Sequence, residues 1–464
     1  MKKIFSNTNK ITTCLLLAAV SLASCKKLIT IPANPPTAIT QQEQFADSTT
    51  TIQAVAGVYA YNAGNGFAYS DGMVTTTTGL SSDELSYAQT NDTQQFYNYT
   101  LTPFTANIGT LWTNAYQSIY QTNAVLSGVT NNSGLSTGFQ KQIIGEMEVV
   151  RSLYYFNLVN LYGDVPLVTS TDYNTTAYIP RTPVATVYHQ IIADLGDARK
   201  KLTAAYPSAG RARPNLYAAT ALLAKVNLYQ GNWQNAYNEA DSVIRLGGYI
   251  LVQTGLTKVF LDGSTEAIWQ LPITQSYSGV ADAQRFVPSY TGATPNYQVI
   301  APLLTAFETG DQRLQSWIGS TVISGKTIYY PYKYKNTSPS TTPTEDQMVF
   351  RLAEMYLIRA EAAAQLNNLT QALTDVNTIR ARAGLAASTA NPTSQTAVLN
   401  AVMHERQVEL FCEWGNRWFD LKRTGAAAAV LGTAKTGFTA NAALYPLPQA
   451  QIQLDNLLTQ NPGY

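Results

Sequence analysis

Two helical hairpins limit what this chain can fold into more than any other feature. Residues 216–231 and 233–246 carry apolar side chains at helical spacing on either side of a tight Gln230-Gly231-Asn232 turn. Residues 350–366 and 369–383 repeat the arrangement around Asn367-Asn368. Ala224 precedes Ala236 by twelve positions, and Ala360 precedes Ala372 by the same interval. Small residues at such places let paired helices approach closely. A hairpin of this kind buries its apolar face only against neighbours, so several must stack. Helical spacing over 40–62, 106–130, 139–162 and from Pro183 onward supplies candidates, and Gly163 with Pro166 stops the third of these.

The units resemble tetratricopeptide helix–turn–helix repeats. The fold class that follows is mainly α: tetratricopeptide-like hairpins forming a scaffold, with irregular, loop-rich insertions and a few short strands. The first insertion, residues 63–105, is rich in Gly, Ser, Thr, Asp and Asn, with Tyr69, Tyr87, Phe96, Tyr97 and Tyr99 scattered through it. The second, residues 250–345, has strand-like runs at 266–271 and 327–334 and the aromatics Tyr277, Phe286, Tyr290 and Tyr297. Loops this long in a compact domain are functional or disordered. Exposed aromatics on polar loops suit stacking on sugar or peptide ligands. The same rings could instead tack the loops onto the helices.

The first residues read as targeting rather than fold. Lys2, Lys3 and Lys10 precede the apolar run Cys14–Leu22, which is shorter than the roughly 20 residues that span a bilayer. The run ends in Leu22-Ala23-Ser24-Cys25, which resembles a bacterial lipobox and makes Cys25 the lipidation site. Residues 1–24 are then a lipoprotein signal peptide, and residues 25–40, rich in Pro, a lipidated N-terminus and tether. Cys412 remains as an unpaired buried thiol. Charged residues make up 13%, against about 25% in ordinary domains, and the net charge is +1, so nothing marks a nucleic-acid partner.

Enzymatic motifs fail on context. Gly134-Leu-Ser-Thr-Gly138 has the letters of a hydrolase nucleophile elbow but follows a helix instead of a strand. His404-Glu405 begins like a zinc-protease helix without a second His at the required spacing, and His189 has no ligand-spaced partner. Asp83 and Glu84 are adjacent, and neighbouring side chains on a strand point apart. No catalytic residue, metal ligand or cofactor is assigned. The densest charge lies in residues 404–425. There the helix from Ser394 is expected to run to Glu413. Trp414, Trp418 and Leu421 are spaced to share a helix face, and Arg417–Asp420 and Asp420–Arg423 are spaced for ion pairs. This segment reads as a packing and ion-pair lock.

Several motifs in order resemble the SusD/RagB family of Bacteroidetes outer-membrane lipoproteins, over almost the whole mature chain. They are Arg151-Ser-Leu-Tyr-Tyr-Phe-Asn-Leu-Val-Asn-Leu-Tyr-Gly-Asp-Val-Pro-Leu167, Pro180-Arg-Thr-Pro183 and Ala224-Lys-Val-Asn-Leu-Tyr-Gln-Gly-Asn-Trp233. Arg351-Leu-Ala-Glu-Met-Tyr-Leu-Ile-Arg-Ala-Glu361, the 404–425 stretch and the closing Gln460-Asn-Pro-Gly-Tyr464 complete the set. The resemblance divides the remaining chain into a SusD-like N-terminal helical region, 41–250, and a RagB/SusD C-terminal region, 251–464. It implies a nutrient-binding protein, with no enzymatic activity, that delivers a glycan or oligosaccharide to a SusC-like TonB-dependent transporter. It also implies attachment to the outer membrane by the lipid, facing the cell exterior. Lys26 and Lys27 stand where surface-displayed relatives often carry acids. The alternatives are a peptide-binding member of the family and a surface scaffold without its own ligand. Tyr69, Tyr87, Tyr277, Phe286 and Tyr290 are the expected ligand contacts.

Overall fold

A computed structural model describes residues 39–464 apart from 65–66, 273–278 and 338–343. The helical periods of the sequence close into a continuous stack. Helix α1 (Ser48–Asn62) is followed by the short α2 (Met73–Ser81), then α3 (Ala106–Val129), α4 (Thr137–Tyr162) and α5 (Val184–Lys201). The first hairpin is α6 (Leu216–Tyr229) with α7 (Trp233–Leu246), and the second is α8 (Leu352–Gln365) with α9 (Leu369–Arg382). Helices α10 (Gln395–Glu409) and α11 (Asn416–Arg423) follow. From α3 to α9 each of these helices packs on the next, and α7 meets α8 although residues 247–351 intervene. The second insertion therefore leaves the stack unbroken. Ala224, Ala236, Ala360 and Ala372 are all fully buried, as close helix approach requires. The hairpin turns use left-handed backbone at Gly231 and Asn367.

Helix ends follow local chemistry. Ser136 of the elbow-like sequence caps α4, its Oγ accepting the Phe139 N–H at 3.4 Å. Gly163, at φ 77°, ends the same helix. Midway along α4, Arg151 donates from Nε and Nη2 to Asp194 of α5, both at 2.8 Å, and from Nη1 to Asn123 of α3. One buried guanidinium thus ties three helices. The Pro-Arg-Thr-Pro and C-terminal motifs meet in space: Arg181 donates to Asn461 Oδ1 at 2.6 Å and to the Thr459 carbonyl at 2.9 Å.

Among the described residues the sheet content is three antiparallel pairs. Strand β1 (Leu85–Tyr87) pairs with β3 (Tyr297–Val299), β2 (Ala267–Leu271) with β6 (Gln347–Arg351), and β4 (Ile318–Ile323) with β5 (Lys326–Pro331).

Three expectations need correction. The first insertion is not plain loop, because α2 lies inside it, buried along most of its length. Thr76, Thr77 and Thr78 return their hydroxyls to the carbonyls of Gly72, Met73 and Val74, which satisfies three of the four buried hydroxyls of the Thr75–Thr78 run and leaves Thr75 Oγ1 without a hydrogen bond among the described residues. The helix expected to reach Glu413 stops at Glu409. A turn with left-handed backbone at Cys412, Trp414 and Gly415 follows, so Trp414 precedes α11 instead of sharing its face. Finally, Asp420 is taken by Arg406 and Arg423, and Arg417 turns the other way, to Asp83.

The charged segment is a buried lock, as its spacing suggested. Glu409 accepts from Arg313, Arg351 and Arg382, and all four side chains are fully or almost fully buried. Glu413 joins through Arg351 and Lys333, Glu405 and Asp311 through Arg313, and Glu266 through Arg382. Burial pushes the Glu409 carboxyl up, but the three guanidiniums outweigh it and hold it well below 4.5. Cys412 is buried, its thiol pushed up by burial first and by Glu84 next, as suits an inert packing cysteine. His189 is exposed.

Candidate functional site

Two segments more than two hundred positions apart build one surface. Leu85 pairs with Val299, Ser86 with Gln298 and Tyr87 with Tyr297, so β1 from the first insertion and β3 from the second form a ladder. The period of two puts Tyr87 and Tyr297 on the same face, their ring centroids 5.0 Å apart. Phe286 supports Tyr297 from behind at 5.7 Å, edge to face. Beyond the ladder the Ala88 N–H donates to the Asn296 carbonyl at 2.8 Å, and Gln89 Nε2 to Asn296 Oδ1 at 3.2 Å. Asn91 Nδ2 donates to the Tyr87 hydroxyl at 3.2 Å. Gln89, Asn91 and Asn296 are exposed, and Tyr290, in the loop entering β3, is 71% exposed. Arg285 pairs with Asp71 and clamps the two insertions together a second time.

The ladder is anchored below by charge. Asp83 receives Arg417 through Nε and Nη2, both at 2.7 Å. Glu84 Oε1 accepts the Cys412 N–H at 3.2 Å, and its carbonyl accepts the Ile300 N–H at 3.1 Å. Burial, with the Asp83 charge beside it, pushes the Glu84 carboxyl up to about 7, against the pull of the Cys412 N–H, Arg417 and Lys333. Both acids lie beneath the face with 2% exposure, so they cannot act as an open carboxylate pair. Glu84 holds β1 to the turn that follows α10, and Asp83 holds it to α11. The exposed groups are aromatic rings, amides and hydroxyls, a set that suits a polyhydroxylated ligand better than an ionic one.

Of the ligand contacts expected from the sequence, the structure joins Tyr87 and Phe286 through Tyr297 and places Tyr290 in the exposed loop between Phe286 and β3. Only Tyr87 and Tyr290 are open to solvent. Phe286 is 4% exposed and serves as a backing for Tyr297. Tyr69 is 0% exposed. Its hydroxyl donates to the Leu111 carbonyl, and its ring packs on Phe67 and Tyr154 at 5.7 and 5.1 Å. Tyr69 and Phe286 are therefore core residues, not contacts. Tyr277 and Cys25 lie outside the described residues. Tyr297, named with the aromatics of the second insertion, is 6% exposed and backs Tyr87, and the sequence reading missed Gln89, Asn91 and Asn296 as the exposed amides around it. The available signal was alternation in Leu85-Ser-Tyr87 and Tyr297-Gln-Val299, each only three residues long.

A stacked-hairpin back with irregular insertions gathered into an aromatic, amide-rimmed face defines a helical binding scaffold. Two family models match the chain. One, described as starch-binding and associating with the outer membrane, covers residues 34–228, and the SusD family model covers 313–464. A SusD-like protein of Formosa agariphila is 28% identical over 98% of this chain and 99% of its own length. Another from the same organism is 24% identical over 96% and 97%. Among solved structures, a laminarin-binding SusD-like protein is 26% identical and superposes with a TM-score of 0.75 over 90% of this chain and 100% of that one. A SusD superfamily protein from Bacteroides vulgatus superposes with a TM-score of 0.81 at 20% identity, over 90% and 99%. The chain belongs to the SusD/RagB family.

Proposed function

We propose that this protein binds a glycan at the outer membrane, without cleaving it, on the face formed by its two insertions, and passes it to a SusC-like TonB-dependent transporter. The β1–β3 ladder carries the reading, because it backs the half-buried Tyr87 of one insertion with Tyr297 of the other and surrounds it with the exposed amides of Gln89, Asn91 and Asn296. The starch-binding description of the family model and the laminarin-binding relative support a sugar ligand. Among the described residues no helix is long and apolar enough to cross a membrane. Attachment then rests on a lipid at Cys25, with the protein facing outward. Replacing Cys25 by Ala is expected to move the protein from the membrane fraction to the soluble one. Retention in the membrane would rule out that anchor.

Calorimetric titration with laminarin, soluble starch, xylan and galactomannan, and with a mixed peptide digest, tests the ligand class. At least one glycan is expected to bind and to be recovered uncleaved. Binding of peptides alone would replace this reading with a peptide-binding one, and cleavage products would end the binding-only reading. Replacing Tyr87 and Tyr290 together by Ala removes two rings, each worth about 0.5–1.5 kcal/mol beyond its area. Affinity is expected to fall about tenfold or more, with little change in melting temperature. Unchanged affinity would move the site off this face.

A further inference from the structure

The β4–β5 hairpin carries a tyrosine laid flat by a glycine. Its register sets Gly319 opposite Tyr330. A Cβ added at Gly319 would lie 2.4 Å from Cε2, 2.5 Å from Cζ and 2.9 Å from Oη of that ring. The hydroxyl end of Tyr330 therefore rests directly on bare backbone. A glycine inside a strand sacrifices packing and conformational entropy, and it commonly marks a place where something must approach closely. Here the thing that approaches is the ring.

Tyr332 meets Tyr330 edge to face, with centroids 5.8 Å apart and planes at 85°. Tyr332 is itself braced by Lys335, 4.0 Å over its ring, whose ammonium donates to the carbonyls of Ser316 and Tyr332. Tyr330 is thus held against Gly319 and against Tyr332, yet it remains partly open to solvent. A ring fixed in this way has already lost its rotamer freedom, so a ligand stacking on it does not bear that cost. Strand β5 runs alongside β3, the strand that carries Tyr297.

We infer that Tyr330 is a further stacking platform, a subsite that takes a pyranose ring of the same glycan chain held by the Tyr87–Tyr290 face. Gly319 is its positioning residue. The inference rests on the glycan-binding reading. A subsite reached only by a longer chain contributes to polymers and not to short oligosaccharides.

The test uses whichever glycan of the panel binds the wild-type protein, together with its short oligosaccharides. Tyr330→Ala is expected to weaken polymer binding about threefold to tenfold and to leave the shortest bound oligosaccharide unaffected. Gly319→Val, which lifts the ring without removing it, is expected to do the same. Tyr330→Phe is expected to bind within about a factor of two of wild type, since the ring face is kept. Wild-type binding that survives Tyr330→Ala unchanged at every chain length overturns the subsite alone. A wild-type protein that binds none of the glycans overturns the glycan reading and the subsite with it. Melting curves of each variant separate lost folding from lost contact, and Tyr330→Ala decides the matter if Gly319→Val does not fold.

Discussion

Glu409→Ala is expected to destabilise the protein by about 3–5 kcal/mol at neutral pH, the range for removing one partner of a buried ion pair. Against a typical total of about 5–15 kcal/mol, that is a large fraction. Three guanidiniums, from Arg313, Arg351 and Arg382, converge on this carboxylate, and none is more than 1% exposed. Removal of the anion leaves them facing one another with Glu266, Glu405, Glu413 and Asp311 as the remaining counter-charges. The effect should depend on pH. The Glu409 carboxyl is held below its ordinary value of 4.5. Its contribution is therefore fully present above that pH and is lost as pH falls through the lower native value. The gap between wild type and variant should be widest near pH 7 and should narrow below pH 4.5. Urea denaturation at several pH values measures both. A loss under about 1 kcal/mol at pH 7, well below the range for buried pairs, or a gap that does not change with pH, would mean that the cluster tolerates the vacancy.

Much of the helical scaffold was legible because its signals are local. Gly163 marks a helix end and Pro183 a helix start, and the paired alanines of the two hairpins mark close packing. Helix α2 was not legible. Its Met-Val-Thr-Thr-Thr-Thr-Gly-Leu-Ser sequence lacks a helical apolar period, and it is helical because the tertiary fold buries it. The lock was read correctly as charge and packing, but its partners were not. Spacing joined Arg417 to Asp420, three residues on, whereas the structure joins it to Asp83, 334 positions earlier. No local rule carries information over that distance. The same limit explains Tyr69. A tyrosine in a polar, glycine-rich stretch looks exposed until Tyr154 and the Leu111 carbonyl, from two later helices, close over it. Tyr87 and Tyr290 remain open to solvent, Tyr87 at the half-buried end of β1 and Tyr290 in the exposed loop before β3.

The long-range pair missed in the sequence connects the charged segment to the strand that carries Tyr87. Arg417→Ala is expected to weaken ligand binding at least as much as Tyr87→Ala, although Arg417 lies beneath the face and is not one of its exposed groups. Its bidentate contact to Asp83 is the charged anchor of β1, and the two side chains are 10% and 3% exposed. Without it, Asp83 and Glu84 become adjacent buried carboxylates whose nearest guanidinium is gone, at a cost of about 3–5 kcal/mol at neutral pH. Glu84 already stands near 7 because of burial and Asp83, and Arg417 is one of the groups that restrain it. Its carboxyl should rise further in the variant. A carboxyl raised in the folded state contributes stability below its unfolded pKa, and this is lost as pH rises through the native value. The variant should therefore recover stability as pH is lowered toward 5, the opposite direction to the Glu409 cluster. Arg417→Lys should rescue only in part, because an ammonium cannot reproduce the two parallel hydrogen bonds of the guanidinium fork. Binding titrations at pH 5 and pH 8 on folded variant protein read the coupling directly. Affinity equal to wild type at pH 8 would show that β1 holds its place without the lock.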